Sequence, residues 1–130
     1  MASVTARIDQ SHYATTLNSG RHQILADEPL EEGGTDLGFS PDELLAAALS
    51  ACTSITLRMY ADRKAWPLES VEVDVNFERD AASKTSSILR KIKLFGPLDA
   101  EQKQRLLQIA HKCPVHQALT NPITIQSEII

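Results

Sequence analysis

Aromatic side chains are scarce in this 130-residue sequence, which has one Trp, two Tyr and three Phe. The core is therefore expected to consist mostly of Ala, Leu, Ile and Val. An excess of basic residues is also missing, because the formal net charge is −4. A nucleic-acid-binding surface would need clustered Lys and Arg to meet the phosphates, so nucleic acid is not an expected partner.

Segments that direct a chain to a membrane or out of the cell are not apparent either. The first 16 residues contain no apolar run typical of a secretory signal. We also expect no stretch to approach membrane-spanning length, and hence no membrane partner. These features predict a soluble cytoplasmic protein. The length, with 42% hydrophobic and 23% charged residues, predicts one globular domain over residues 1–130.

Cysteine is rare, since Cys52 and Cys113 are the only two. In a reducing compartment, paired cysteines are more often catalytic or redox-sensing than structural. Each cysteine lies on the apolar stripe of its own predicted helix, and a buried free cysteine is usually inert. A disulfide requires Cα atoms within about 7 Å, so periodicity permits the two cysteines to pair but does not establish it.

Hydropathy periods and turn residues predict an α+β fold rather than alternating βαβ units. The predicted elements, in chain order, are strands over 4–8, 13–17 and 21–27, a loop over 29–41, a helix over 41–64, strands over 71–78 and 88–95 joined by a polar connection over 79–87, a helix over 100–112, a further helical turn from 114 and a last strand within 121–130.

The two main helices carry start signals and apolar stripes. Ser40 is a predicted N-cap, with Pro41 at the first helical position. Asp99 and Gln102 resemble a capping box for the second helix. The predicted stripe of the long helix consists of Leu44, Ala48, Cys52, Ile55 and Met59, and that of the second helix consists of Leu106, Ile109, Ala110 and Cys113.

Cys113 precedes Pro114 and is therefore predicted to cap the short last helix. Backbone N–H groups and the helix dipole stabilise a thiolate at such a position, which on that ground alone would make Cys113 the more acidic thiol. The residue patterns leave the roles of the two cysteines open. A metal site of His111, Cys113 and His116 is a minor alternative, because these positions share no helix face and no second Cys/His cluster completes four ligands. No metal and no cofactor is expected.

Arg21 directly follows a predicted turn, at the start of a strand. Most arginines in such positions are solvated and contribute little. A functional arginine here would bond a thiolate and lower its pKa, which favours a nucleophile.

The sequence resembles the OsmC/Ohr family of osmotically inducible and organic hydroperoxide resistance proteins. Three segments carry the resemblance: SPDELLAAALSACTS over 40–54, RMYADRKAWPLESVEV over 58–73 and LDAEQKQRLLQIAHKCPVHQAL over 98–119. The upstream GRHQILADEPLEEGG over 20–34 fits as well, so nearly the whole chain is covered. The combination of Ala-Cys in the long helix with the later Cys-Pro-Val is nearer to the OsmC-like branch than to the Ohr branch.

The resemblance implies an intertwined homodimer in which two long central helices pack together inside the sheets of both chains. It also implies a thiol peroxidase that acts on organic hydroperoxides and is regenerated by an external dithiol. By position, Cys52 would be the peroxidatic nucleophile and Cys113 the resolving thiol, and Arg21 would stabilise the thiolate and polarise the peroxide.

The residues after Pro41 depart from the family pattern. The family has a glutamate directly after this proline, whereas this chain has Asp42, followed by Glu43. Either carboxylate is a candidate partner of Arg21. Both precede Cys52 by nine or ten residues, which is about 14–15 Å along a straight helix. The carboxylate must therefore act through Arg21, through a break in the helix, or from a partner chain.

Two functions of different classes follow from these features. The first is a two-cysteine peroxidase, in which Cys52 becomes a sulfenic acid and condenses with Cys113 to a disulfide. The second is a non-catalytic member of the same fold that binds a small apolar ligand or senses redox state, as the missing family glutamate suggests.

Overall fold

The computed structural model describes all of residues 1–130 and has the predicted α+β composition, with antiparallel sheets and one long helix. The elements are β1 Thr5–Ile8, β2 Thr15–Ser19, β3 His22–Ala26, a 3₁₀ turn at Leu30–Glu32, α1 Pro41–Lys64, β4 Ser70–Asp80, β5 Thr85–Phe95, α2 Ala100–Ala110 and α3 Pro114–Leu119. The chain divides into two compact units, Met1–Ala46 and Ala47–Ile130, and the boundary falls inside α1.

The first unit contains an antiparallel sheet in the order β1-β2-β3. The pair Ser19↔His22 closes β2 on β3 through a two-residue turn, and Gly20 takes a φ of 57° in that turn, a conformation that glycine adopts without steric cost. The loop after β3 is organised by Asp27, which is buried. Its carboxylate accepts hydrogen bonds from the backbone N–H groups of Tyr13, Glu28, Thr35 and Leu37 and from the Thr35 hydroxyl.

The second unit is built on the hairpin of β4 and β5, which pair from Ser70↔Phe95 to Asp80↔Thr85. Alternate residues of β4 are exposed, as the period of two predicts. The connecting turn, residues 81–84, is shorter than predicted because both strands extend beyond their apolar stretches. The core joins the hairpin to α1 and α2, and its buried residues are Leu57, Tyr60, Ala61, Leu68, Leu98, Leu106, Ile109 and Ala110.

The predicted stripe of α1 is wrong within a single chain. Its buried residues are Leu49, Thr53, Leu57, Tyr60 and Ala61, whereas Ala48, Ile55 and Met59 are exposed. The cause is that α1 is apolar on several sides, so periodicity does not single out one face. The predicted stripe of α2 is correct, because Leu106, Ile109, Ala110 and Cys113 are all buried.

Two further expectations fail. Residues 121–130 form no strand, because they have no hydrogen-bonded partner strand, and Ile123, Ile125 and Ile129 are exposed. The second concerns membrane-spanning length. The helix Pro41–Lys64 is long and apolar enough to cross a membrane by length and composition alone, and an 18-residue window of it has a mean hydropathy of 1.4. A core helix of a soluble protein passes the same test.

The capping predictions are confirmed. The Asp99 carboxylate accepts from the Gln102 N–H at 2.7 Å, and the Gln102 side chain accepts from the Asp99 N–H at 3.0 Å. At the start of α1, the Ser40 hydroxyl accepts from the Glu43 N–H and Glu43 accepts from the Ser40 N–H. Both arrangements satisfy N–H groups that the first turn of a helix leaves without partners.

Candidate functional site: a dithiol in the second unit

The two cysteines lie on different elements of the second unit and differ in exposure. Cys52 lies in α1 and is half-buried, beside the fully buried Thr53. Cys113 is the N-cap of α3 and is completely buried. Its Sγ accepts a hydrogen bond from the His116 N–H at 3.4 Å. Both cysteines are free thiols in this structure.

Cys52 is the neighbouring side chain that most affects the titration of Cys113. Burial raises the pKa of the Cys113 thiol, and the hydrogen bond to Cys52 and the charge that Cys52 carries as a thiolate raise it further. The His116 N–H lowers the same pKa, as expected at a helix N-cap, but less than burial raises it. Capping alone predicts a lowered pKa for Cys113, but the N–H groups of His116 and Val115 do not offset burial next to a second sulfur.

Arg90 connects the segments on which both cysteines lie. Its Nη1 donates to Thr53 Oγ1 at 3.1 Å and to the Ala110 carbonyl at 3.4 Å. Its Nη2 donates to His116 Nδ1 at 3.1 Å. One guanidinium group thus bonds to α1, to the end of α2 and to α3.

His116 is held neutral at this site. Burial and the positive charge of Arg90 lower its pKa, with a smaller contribution from His111. Because a guanidinium only donates hydrogen bonds, Nδ1 of His116 is the acceptor and its ring proton resides on Nε2. The ring of His116 lies 5.2 Å from that of His111, and no group of three or more His, Cys, Asp or Glu side chains is placed to hold a metal ion.

The remaining predicted site residues belong to the first unit. Arg21 is exposed in the turn between β2 and β3. Asp42 and Glu43 occupy the first turn of α1, and one carboxylate oxygen of Glu43 accepts the Ser40 N–H at 2.9 Å. The helix is continuous from Pro41 to Lys64, which rules out a break between these carboxylates and Cys52.

Sequence reasoning missed Arg90, although a signal was present. The alternation that places Ile88, Ile92 and Leu94 on one side of β5 places Arg90 on that side too. A charged residue on the inward side of a strand needs polar partners. Those partners lie on three other elements, so the sequence does not identify them.

Comparisons with known proteins agree with this architecture. The model of the OsmC-like protein family matches residues 33–128. The search of curated proteins found no match. Among solved structures, an OsmC-like protein from Mycoplasma pneumoniae is 21% identical, with a TM-score of 0.80 over 92% of this chain and 86% of that chain. An organic hydroperoxide resistance protein OsmC from Legionella pneumophila is 21% identical, with a TM-score of 0.69 over 92% and 89%.

A third structure is more similar in sequence. The organic hydroperoxide resistance protein OhrB of Bacillus subtilis is 26% identical, with a TM-score of 0.63 over 92% of this chain and 90% of that chain. The family match includes α1, which carries Cys52, and α3, which Cys113 caps. Because the family match extends over most of the sequence, this chain belongs to the OsmC-like protein family.

Proposed function

We propose that this protein is a thiol peroxidase that reduces organic hydroperoxides through Cys52 and Cys113. The observation that carries the proposal is that Cys52, half-buried, lies near enough to the fully buried Cys113 to influence its titration, while Arg90 bonds to the segments on which both cysteines lie. Relatives named for organic hydroperoxide resistance support the substrate class. Transfer of an apolar alkyl group from water to an apolar protein surface also lowers the free energy of binding.

The environments of the two thiols support different roles. A peroxide can react only with a thiol that it can reach from solvent, and Cys52 is the more exposed of the two thiols. Cys113 keeps its proton because its pKa is raised and its thiol is shielded from solvent. A protonated Cys113 can donate to the Cys52 thiolate and does not compete as a nucleophile. We therefore assign Cys52 as the peroxidatic and Cys113 as the resolving cysteine.

The proposed reaction has three steps. The Cys52 thiolate attacks the terminal peroxide oxygen, the O–O bond breaks, and the alkoxide takes a proton and leaves as an alcohol. The resulting Cys52 sulfenic acid is attacked by the Cys113 sulfur, which forms the disulfide and releases water with the Cys113 proton. An external dithiol then reduces the disulfide by two exchange steps and is itself oxidised to a disulfide.

Arg21 is proposed to stabilise the Cys52 thiolate, as the family resemblance implies. Asp42 or Glu43, both in the first turn of α1, is proposed as the carboxylate that orients Arg21. Aspartate stands where the family has glutamate. We expect Arg21→Met to lower kcat/KM for the hydroperoxide by at least about tenfold, because a charge-assisted hydrogen bond to the thiolate is removed.

A homodimer is proposed as the working form. Ile55 and Met59 are 55% and 67% exposed on α1, and the isoleucines of residues 121–130 are exposed as well. An apolar helix face of this kind is more stable when it is covered. Location in the cytoplasm is proposed as well, since the dithiol chemistry depends on reduced thiols.

The family match crosses the boundary at Ala46, which supports the prediction of a single domain.

The direct test is steady-state consumption of tert-butyl hydroperoxide with a dithiol reductant. Wild-type protein is expected to turn over, Cys52→Ser to be inactive, and Cys113→Ser to consume peroxide without forming an intramolecular disulfide. Lys91→Met, on the exposed side of β5, is the control for an unrelated substitution. Full turnover by Cys52→Ser would contradict the proposal.

A second candidate is redox sensing without turnover. It is favoured by Asp42 in place of the family glutamate and by the use of Glu43 in the helix cap. In this case, one equivalent of oxidant forms the Cys52–Cys113 disulfide, but peroxide consumption with excess dithiol is no faster than with the dithiol alone. The same assay therefore separates the two functions.

A further inference from the structure

The guanidinium group of Arg90 lies at the junction of the elements that carry the two cysteines. Arg90 is on the inward side of β5 and is partly buried. It donates to three uncharged acceptors, namely Thr53 Oγ1, the Ala110 carbonyl and His116 Nδ1. No sequence motif that carries the family resemblance includes this residue.

Each of these acceptors is coupled to a cysteine through a short covalent or hydrogen-bonded path. Thr53 follows Cys52 in the chain, and its hydroxyl also donates to the Leu49 carbonyl at 2.7 Å. Its position on α1 is therefore fixed from two directions. The Thr53 hydroxyl both donates and accepts, so the Thr53 side chain has little rotational freedom. It thereby ties the helix turn that contains Cys52 to Arg90.

Cys113 is bracketed by the other two acceptors. The Ala110 carbonyl that accepts from Arg90 also accepts from the Cys113 N–H at 3.3 Å. The His116 ring that accepts from Arg90 belongs to the residue whose N–H donates to Cys113 Sγ. Arg90 thus fixes the backbone before Cys113 and the helix turn after it.

We propose that Arg90 is a positioning residue that holds Cys52 and Cys113 in register for disulfide formation, acting through Thr53, Ala110 and His116. Holding two reacting groups in place replaces an encounter with a unimolecular step, and misplacement by about 1 Å costs up to about a hundredfold in rate. This role rests on the proposed function for its biological use, but it concerns the dithiol itself and holds whichever oxidant the protein uses.

The role belongs to arginine rather than to positive charge alone. The planar guanidinium directs two nitrogens to acceptors on three different elements, whereas a lysine ammonium is a single point with a different reach. A lysine at position 90 is expected to keep one of the three contacts at most. Arg90→Lys should therefore resemble Arg90→Met rather than wild type.

The experiment measures disulfide closure in the full chain with diamide, a thiol oxidant that takes two electrons and two protons from the dithiol and is reduced to its hydrazine. Diamide makes the measurement independent of peroxidase activity. In Arg90→Met, closure of the Cys52–Cys113 disulfide is expected to be at least about tenfold slower than in wild type. The equilibrium with glutathione should shift by a similar factor toward the dithiol, a rise of about 30 mV in reduction potential per tenfold change.

Controls separate positioning from loss of fold and from failure of the proposed function. Lys91→Met removes a neighbouring charge on the exposed side of β5 and should close at the wild-type rate. Thr53→Val keeps the shape of the side chain and removes one acceptor, so an intermediate rate is expected. In a Cys113→Ser background, adding Arg90→Met should not change the rate at which Cys52 reacts with peroxide, because positioning serves the second step.

Wild-type closure kinetics and potential in Arg90→Met, with native circular dichroism, would overturn the proposal. An equal loss in closure and in the first reaction of Cys52 would also overturn it, since this pattern indicates general disruption of the fold. If diamide closure depends on Arg90 while no hydroperoxide is consumed, the positioning role stands and the proposed peroxidase function fails.

Discussion

At the scale of single residues, the titration of Cys113 depends on three neighbours at once. Burial, the hydrogen bond to Cys52 and the charge on Cys52 raise its pKa, and the N–H groups of His116 and Val115 lower it. The folded state therefore holds the Cys113 proton more tightly than the unfolded state does. The contribution of protonated Cys113 to the stability of the fold is complete below the ordinary thiol pKa. It is lost as the pH rises through the raised pKa of Cys113 in the folded state.

Replacement of Cys52 by alanine should lower the pKa of Cys113. Two of the causes that raise this pKa disappear in Cys52→Ala, and burial, the largest cause, remains. The ultraviolet absorbance of the thiolate, followed during a pH titration, should give a Cys113 pKa below the second thiol step of wild type and above that of the unfolded chain. A Cys113 pKa unchanged by the substitution would show that the two sulfurs do not interact.

Asp27 provides a second test at this scale, in the first unit. Thr35 and the N–H groups of Glu28, Leu37 and Tyr13 hold the pKa of this carboxyl well below its ordinary value of 3.8. Asp27→Asn places amide hydrogens where N–H donors converge, so it should lower the midpoint of thermal unfolding far more than Asp9→Asn, a change at an exposed surface pair.

The difference in unfolding midpoint between wild type and Asp27→Asn should depend on pH in a definite direction. A depressed carboxyl pKa stabilises the fold fully above the ordinary value and less as the pH falls toward the lowered one. The difference in unfolding midpoint between wild type and Asp27→Asn should therefore be constant near neutrality and narrow below about pH 3.8. A difference that widens on acidification would contradict the account of Asp27.

The sequence is informative about single residues where the cause is local. The N-cap role of Cys113 follows from Pro114 and a short helix, and it is predicted correctly. The raised pKa of Cys113 is not predicted, because it arises from burial and from Cys52, which is 61 residues away. Arg90 is missed for the same reason, since its acceptors lie on three elements that only the tertiary structure brings together.

At the scale of elements, the capping box of α2 is a local feature with a measurable contribution. Asp99→Ala removes the acceptor of the Gln102 N–H and is expected to lower the free energy of unfolding by about 1 kcal/mol. Asp99→Ser retains a side-chain oxygen and should restore most of this loss. Chemical denaturation of the three proteins provides the measurement, and equal stability of wild type and Asp99→Ala would contradict a stabilising cap.

The helices also show where periodicity is sufficient and where it is not. In α2, apolar residues lie on one face and polar residues on the other, so the buried side is predicted correctly. In α1, apolar and small residues lie all round the helix, and the side chosen from the sequence is largely exposed within one chain. The strand predicted within 121–130 fails because a strand forms only with a partner.

At the scale of the whole molecule, these two failures concern surfaces that are apolar and uncovered in a single chain. Both are consistent with the proposed homodimer, in which the face of α1 with Ile55 and Met59 would be buried. Burying an aliphatic side chain of this size contributes about 1.5–3 kcal/mol. Covering Ile55 and Met59 would therefore stabilise the proposed homodimer.

The combined substitution Ile55→Glu and Met59→Glu should convert the protein to a monomer. Two carboxylates on this face would have to be desolvated in a dimer, which is strongly unfavourable. Sedimentation velocity over a concentration range measures the change, and Lys64→Glu, at the exposed end of the same helix, is the control for added negative charge. A double variant with the mass of wild type would exclude this face from the interface.

The most direct test of the central claim is to map the cysteines after one equivalent of an organic hydroperoxide. Reduced wild-type protein is treated with tert-butyl hydroperoxide, quenched with an alkylating agent and digested for mass spectrometry. The account predicts a Cys52–Cys113 disulfide in yield close to the peroxide added, with the loss of two hydrogen atoms per chain, and none in Cys52→Ser. Unmodified cysteines in wild type, or a disulfide that forms only with diamide, would contradict a peroxidase that works through this pair.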